Sequence, residues 1–542
     1  MKRTGSHDRE SPEMPGGRPA APAVAVEDFV ESLNPASGQV CARIPATAVE
    51  SLPEIMARAR RAQTEWAARP LRERCRLVRR IGERLYERRQ EAAALVTRET
   101  GKPRVEALFA DVLTSLDAAF YYPRQAPRLL RPEVVPHHNP ALKAKRGRLW
   151  REPVGVIALI SPWNYPLAVP AGTLLPALVA GNAVIVKPSE LVPACGALLG
   201  ELAAQAGAPE GLVQVILGRG DLGAALIAAG PDKVVFTGSV ATGRRVAEAC
   251  AAQLIPSVLE LGGKDAMLVF ADADLERASS AAVWGGFTNC GQACLSVERL
   301  YVERKVAREF VELCVAKTRK LRLGDPADPA TDVGPMIRPA HRERVLCQLA
   351  DARSRGARIL TGGGRRDDLG AAYLEPTVIT DVAPQMALMR EEIFGPVLPV
   401  SMVEDEEQAI RAANDSPFAL GASVWTGSGL RGQRVAAQLR AGSVMINDVA
   451  SYFGICEAPH GGWGASGWGR THSRAGFDEL VRLKYVDRDA LPGVPKVWWY
   501  GYNQALLESA GQMMETLFAP RWSRRVRAAA NSARVLWRRG RV

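Results

Sequence analysis

At 542 residues, with 47% hydrophobic and 24% charged content, the chain is long enough for two or three domains around a large core and has the balance of a soluble globular protein. Its nine cysteines are odd in number and scattered, which excludes a disulfide framework and points to a reducing compartment. Its six histidines form no HExxH or CxxC/HxxxH cluster, so neither structural nor catalytic zinc is expected. The net charge of +12 is unevenly placed: from Leu491 onward nine Lys and Arg face Glu508 and Glu515, a tail of +7 on a body of +5, which argues against nucleic acid and for a surface anchor or partner contact.

Residues 1–24 are rich in Pro, Gly, Ala and charge without periodicity and read as a disordered tail lacking the apolar run of a signal peptide. From Val49 to Phe120 apolar residues recur at three- and four-residue steps, a helical region whose charged positions read as solvated faces. Within it RETGKP places Gly101 as a helix C-terminal cap. Pro132 to Pro153 is basic and irregular, and its residues leave a linker and an extended arm both open. Then strands and helices alternate: VGVIALI (Val154 to Ile160), NAVIVKPSE (Asn182 to Glu190), LVQVILG (Leu212 to Gly218), KVVFTGS (Lys233 to Ser239) and SVLELGG (Ser257 to Gly263). Near-continuous apolar strands separated by helices predict a parallel sheet covered on both faces, with ligands outside the carboxyl ends of the strands. Asn164, Lys187, Gly238 and Glu260 fall at such ends. A second α/β unit follows, and Leu480 to Asp489 reads as an isolated late strand.

Three stretches carry chemistry. FTNCGQACLS (Phe287 to Ser296) surrounds Cys294 with small and polar residues, a setting for a nucleophilic thiol rather than a core cysteine. Cys290, four residues earlier, is read as a bland neighbour, the alternative being a disulfide trap for Cys294. LELGGKD offers Glu260 as a general base, provided that it is partly buried near the thiol. SPWNYP offers the Asn164 amide. FTGSVATG sets Gly238 and Gly243 at a strand-to-helix junction where phosphate can approach helix amides. Lys187 and Glu190 add groups for ribose hydroxyls, and the Glu190 carboxylate would repel a 2′-phosphate, so NAD is expected over NADP.

Together with EEIFGPV (Glu391 to Val397), these motifs, in this order from about Val30 to Asp489, resemble the aldehyde dehydrogenase superfamily. The resemblance implies an α/β fold with a Rossmann-like dinucleotide-binding domain, an α/β catalytic domain and a small β oligomerisation arm. Mapped here, the NAD-binding domain takes 25–131 and 154–262, the arm 132–153 and 480–490, and the catalytic domain 263–479. Residues 491–542 are a basic amphipathic extension without a family counterpart. The resemblance also implies a homodimer or homotetramer. Cys294 becomes the nucleophile, Glu260 the general base that hydrolyses a thioester to the free acid, and Asn164 an oxyanion donor. Lys187, Glu190, Gly238, Ser239, Glu392 and Phe394 would hold NAD, with Trp163 near the cofactor site. The chain departs from the family at APHGGWGASGWGR (Ala458 to Arg470): His460 stands for a Phe, Gly464 for a Lys, and Thr471 for an acid. Tyr452, Phe453 and Trp463 nearby favour an apolar or aromatic aldehyde. A semialdehyde such as succinate semialdehyde is the alternative and would need a cation in the funnel. A non-catalytic tethered scaffold is the reading from another class, and it would need none of the four residues Cys294, Glu260, Asn164 and Lys187. Beyond Val494, apolar stripes from Leu506 to Phe518 and from Trp522 to Trp537, flanked by arginines, suit an anionic membrane surface. The expected location is the cytoplasm, peripheral at the inner face of a membrane.

Overall fold

The computed structural model describes residues 29–139, 142–493, 496 and 498–539, with side chains described up to 531. The tail expected over 1–24, and the Ala533 and Trp537 side chains of the second tail stripe, lie outside the described residues.

Two units separate by packing: 1–130 with 152–482, and 131–151 with 483–542. The first holds two large sheets. In one, the strand order is Gly467–Trp468, Ser257–Glu260, Lys233–Thr237, Val156–Ile160, Ala183–Lys187, Val213–Val215, all parallel except the two-residue edge. Its central strands read VIALI and AVIVK and are buried almost throughout, as an apolar run covered on both faces requires. From Val156–Ile160 the chain adds two strands on one side and then returns to add two on the other. That reversal opens a crevice at the carboxyl ends, where Ser161–Asn164 and Gly238 emerge. The other sheet has seven strands: Arg358–Thr361, Thr377–Thr380, Val397–Val403, Val297–Glu303, Asp265–Val269, Gly421–Trp425 and Ser443–Ile446. Only the four residues from Leu261 to Lys264 separate the strand ending at Glu260 from the one starting at Asp265, so this short link ties the sheets together.

The N-terminal region departs from the sequence reading. A hairpin of Phe29–Leu33 with Val40–Pro45 precedes the helices. Gly101 does cap its helix, in the left-handed region at φ 76°. Beyond it the charged residues are not all solvated. Glu99, Lys102 and Asp111 are fully buried. Lys102 Nζ donates to Asp111 Oδ2 at 2.5 Å and lies 3.7 Å from the centre of the Tyr165 ring. Asp111 Oδ1 accepts from the Leu167 and Ala168 amides, at 3.1 and 3.3 Å, where the Ala168–Ala180 helix begins. Helical spacing distinguishes faces but not what covers them, and here a second layer of helices covers the charged face.

In the second unit, Val481–Asp489 is not isolated: it pairs in a three-stranded sheet with Lys145–Pro153 and Glu133–Val135. The basic stretch read as irregular supplies two of those strands. Two helices follow, Gln504–Phe518 and Trp522–Arg539. Their apolar residues split into two rows: Leu506, Ala510, Met513 and Leu517 are half-buried, whereas Leu507, Met514, Phe518, Trp522 and Val526 are exposed. Among the described residues, no helix is long and apolar enough to cross a membrane.

Removing one partner of a buried ion pair strands the other, at a cost of about 3–5 kcal/mol. Asp111→Ala is therefore expected to lower the unfolding midpoint in a urea titration substantially, and an unchanged midpoint would contradict this account of the Lys102–Asp111 pair.

Candidate active site

Cys294 owes its position to an unusual turn. The Leu275–Phe287 helix ends, and in the following turn Asn289 (φ 52°), Cys290 (φ 56°) and Gly291 (φ 69°) are left-handed in succession. Side-chain-bearing residues resist this conformation, so the turn needs outside support. Glu106 supplies part of it, accepting from the Asn289 amide at 2.8 Å and from Thr288 Oγ1 at 3.2 Å. Asn289 Nδ2 donates to the Asn164 and Gln292 carbonyls. Gln292 Nε2 donates back to the Asn289 carbonyl, and its Oε1 accepts from the Ile337 amide at 2.8 Å. Gly291 is obligatory, since a Cβ there would meet the Gly395 carbonyl oxygen at 2.1 Å. The result separates the two cysteines of the motif: Cys290 is buried in the core of the seven-stranded sheet, while Cys294 is half-buried on a cavity wall.

That cavity, about 740 Å³, is lined by nine of the ten residues singled out in the sequence: Cys294, Asn164, Trp163, Lys187, Glu190, Gly238, Ser239, Glu392 and Phe394. The Asn164 amide donates to the Gln292 carbonyl at 3.0 Å, which fixes the side chain beside the cysteine turn and leaves its second N–H for another acceptor. Lys187 and Glu190 stand 3.8 Å apart, beyond hydrogen-bonding distance. Ser239 caps the Val240–Ala252 helix through the Thr242 amide. Trp163 meets Phe394 edge-on at 5.6 Å. The loop bearing Glu392 and Phe394 is pinned by Glu298, which accepts from the Ile393 and Phe394 amides and pairs with buried Lys264 at 2.9 Å.

Glu260 is the tenth residue, and it does not line the cavity; its neighbours Leu261 and Gly262 do. It is 4% exposed, and neither carboxylate oxygen has a hydrogen-bond partner. Burial pushes its pKa well above the ordinary carboxylate range, opposed by Arg470 and reinforced by Glu479. The Cys294 thiol is also pushed well up, by burial first and then by Glu392, Asp265 and Glu260. Glu260 therefore lies close enough to the sulfur for its charge to be felt.

Sequence reasoning missed the supporting groups: Glu106, Gln292, Glu298 and Lys264. Gln292 sits inside the cysteine motif and could have been flagged there. The other three carry no local signal, because each acts on a segment distant in the chain.

The model of the aldehyde dehydrogenase family matches residues 23–486. The chain is 39% identical over 494 residues to the 4,4′-diapolycopene aldehyde oxidase of Methylomonas sp., covering 90% of this chain and 91% of that protein. It is 38% identical over 470 residues to the Mycobacterium tuberculosis protein named "Putative succinate-semialdehyde dehydrogenase (NADP+) 2", covering 85% and 90%. Among solved structures it is similar to betaine aldehyde dehydrogenase from Staphylococcus aureus in complex with NAD+, with TM-score 0.82 and 33% identity over 88% of this chain and 94% of that one.

Proposed function

The chain belongs to the aldehyde dehydrogenase family, and from that premise we propose that it oxidises an apolar or aromatic aldehyde to the free carboxylic acid, with NAD as acceptor and Cys294 as nucleophile. The observation that carries this reading is the set of groups around one cavity: a thiol and an amide donor on its wall, and behind them a buried carboxylate with no partner of its own.

The residues at the far end fit a nicotinamide dinucleotide. Lys187 and Glu190 are spaced to take a ribose diol between them, and Glu190 would repel a 2′-phosphate. The capped helix start at Ser239 offers amides to a pyrophosphate. A bound cofactor of this kind supplies the hydride acceptor. The protein's own residues do the rest. The Cys294 thiol gives its proton up to solvent as its sulfur adds to the aldehyde carbon, and the Asn164 amide with the Cys294 amide takes the oxyanion, donors whose loss costs roughly 2.7–4 kcal/mol. Once the aldehyde hydrogen has left as hydride, Cys294 holds the acyl group as a thioester. Glu260 then takes a proton from the water that hydrolyses it. A raised carboxyl pKa suits a base working near neutral pH.

The funnel chemistry favours an apolar substrate. Phe109, Tyr165, Val169, Trp284 and Phe453 line the cavity, whereas the Lys and Arg among its described lining residues are Lys187, Arg245 and Arg344. Lys187 faces Glu190, Arg245 lies on the helix capped by Ser239, and Arg344 donates to the Glu392 carbonyl, so all three accompany the cofactor-end residues. Among the described lining residues, no further Lys or Arg stands beside these aromatic groups to take a succinate semialdehyde carboxylate. This wall accords better with the aldehyde in the name of the Methylomonas relative than with that in the name of the mycobacterial one.

In a panel of short, long-chain and aromatic aldehydes with succinate semialdehyde, NADH formation is expected to favour the long apolar members and to vanish in Cys294→Ala. Turnover led by succinate semialdehyde would overturn the substrate class, and no turnover of any aldehyde would overturn the enzyme reading for this site.

Two further contacts belong to the same reading. The Val481–Asp489 strand is an edge with Leu483 and Tyr485 half exposed, which suits pairing with another copy of the chain. Leu483→Lys is expected to lower the mass measured by light scattering after size exclusion, and an unchanged mass would remove this edge as the contact. The exposed row Leu507, Met514, Phe518, Trp522 and Val526, beside Arg521, Arg524, Arg525 and Arg527, fits an anionic bilayer surface through apolar insertion and charge. Deleting 494–542 is expected to abolish sedimentation with phosphatidylglycerol vesicles; equal sedimentation of the full and truncated chains would sink the membrane contact.

A further inference from the structure

The buried carboxylate of Glu260 faces a second buried polar group that the functional reading leaves unused. His460 Nε2 stands 3.8 Å from Glu260 Oε2. Both residues are 4% exposed. Both Glu260 oxygens and His460 Nδ1 have no hydrogen-bond partner. The imidazole is held firmly. Its backbone exchanges hydrogen bonds with Thr471 in both directions, at 2.8 and 2.9 Å. Its ring stacks on Tyr452 at 5.6 Å and meets Phe453 edge-on at 5.0 Å and His472 edge-on at 6.1 Å. An aromatic box of this kind is filled equally well by an apolar ring, so the nitrogens add desolvation cost without adding packing. A group kept at that cost against an equally stranded carboxylate has a reason to be there.

We propose that His460 is the positioning residue for Glu260: its Nε2–H closes onto the carboxylate during turnover and holds it, ionised, toward the thioester. An approach of about 1 Å converts the present spacing into a hydrogen bond, and such bonds commonly tighten only when substrate is bound. The inference rests on the reading of Glu260 as the hydrolytic base. Gly461 leaves room for the motion, since its backbone passes so close that a Cβ there would lie 2.7 Å from Glu260 Oε1.

The groups facing this pair are few. Arg470 and Glu479 act on Glu260, and Glu260 in turn acts on the Cys294 thiol; His472 and Arg470 act on His460; Tyr452 beneath the imidazole donates its hydroxyl to Asp265. Burial, His472 and Arg470 bring the His460 imidazolium down to about 3, so the ring is neutral at working pH and offers one N–H and one bare nitrogen. The step then balances without a further reactant. Glu260 takes one proton from water as the hydroxyl oxygen bonds to the acyl carbon. The carbon–sulfur bond breaks with its electron pair on Cys294, the carboxylic acid leaves, and the proton on Glu260 passes to the thiolate. His460 donates to the carboxylate before and after, and does not itself change protonation.

The test is a comparison of His460→Phe with wild type by rapid mixing with an aldehyde that the wild type turns over. Phenylalanine keeps the ring in its box and removes only the donor. The first NADH per site is expected to form at the wild-type rate. The steady rate that follows is expected to fall roughly tenfold or more, the effect of losing a hydrogen bond to a charged group. A donor to the carboxylate stabilises its charged form, so its loss raises the Glu260 pKa, and the rising limb of steady rate against pH is expected to move up by about one unit. In a Glu260→Gln background, His460→Phe is expected to do nothing further. A wild-type steady rate and pH limb in His460→Phe, a loss of the first-turnover NADH, or an additional loss in the Glu260→Gln background would each overturn the proposal. No NADH from the wild type with any aldehyde would instead overturn the functional reading, and this inference with it.

Discussion

Everything at the site depends on a backbone that does not want its conformation. Asn289 and Cys290 are left-handed, at a cost of roughly 1–2 kcal/mol each for residues with a Cβ. The turn persists because several parts of the chain hold it at once. Glu106 comes from the N-terminal helices, Gln292 ties the turn to Ile337, and the Gly395 carbonyl closes over Gly291. The same network reaches Asn164, whose carbonyl accepts from Asn289 and whose amide donates to Gln292. The Cys294 thiol and the Asn164 amide are therefore set by one hydrogen-bonded system rather than by two independent loops. Glu106 is itself raised to about 7 by burial, despite the donors that it accepts from, so this clamp is strongest when its carboxyl is ionised.

The electrostatics follow from the short link between the two sheets. Because only Leu261 to Lys264 separate Glu260 from Asp265, two carboxyl groups are delivered to the neighbourhood of one thiol, and Glu392 brings a third from its loop. Glu260 and Asp265 are buried, Glu392 is half-buried on the cavity wall, and each is raised, Asp265 to about 7 and Glu392 to about 8. Burial and these three carboxyl groups together favour the protonated sulfur. A resting thiol is less open to stray oxidation than a thiolate.

The sequence displays the parts of this arrangement that are local. Apolar runs such as VIALI and AVIVK announce buried parallel strands, and the residues at their carboxyl ends line one cavity because topology brings those ends together. The small, polar setting of Cys294 separates it from Cys290, which the structure buries in a core. What stays illegible is the covering layer. Glu99, Lys102 and Asp111 have the periodicity of a solvated face, and only the helices laid over them make them buried. Read from its own residues, without the family resemblance that groups 480–490 with 132–153, Val481–Asp489 looks solitary because its partner strand, Lys145–Pro153, precedes it by more than three hundred residues and is disguised by its basic charge.

The departures at Ala458 to Arg470 show how far a local reading can go and where geometry must take over. Read singly, His460, Gly464 and Thr471 look like drift from the family pattern. In the structure two of them are joined, and the third has a backbone reason of its own. Gly464 sits at φ 62°, and a Cβ there would meet the Pro417 carbonyl oxygen at 2.6 Å, so a lysine has no place on this backbone. His460 and Thr471 lie opposite each other on a two-way backbone bridge, so the imidazole and the residue standing where an acid is common are fixed by the same pair of hydrogen bonds. With a threonine at 471 and a histidine at 460, the neighbour at 3.8 Å from Glu260 is an imidazole rather than a phenyl ring. The Glu260 carboxyl, with no hydrogen-bond partner on either oxygen, has that ring as its neighbour, and the changes at 460 and 471 are better understood as one bridged environment beside it than as two separate substitutions.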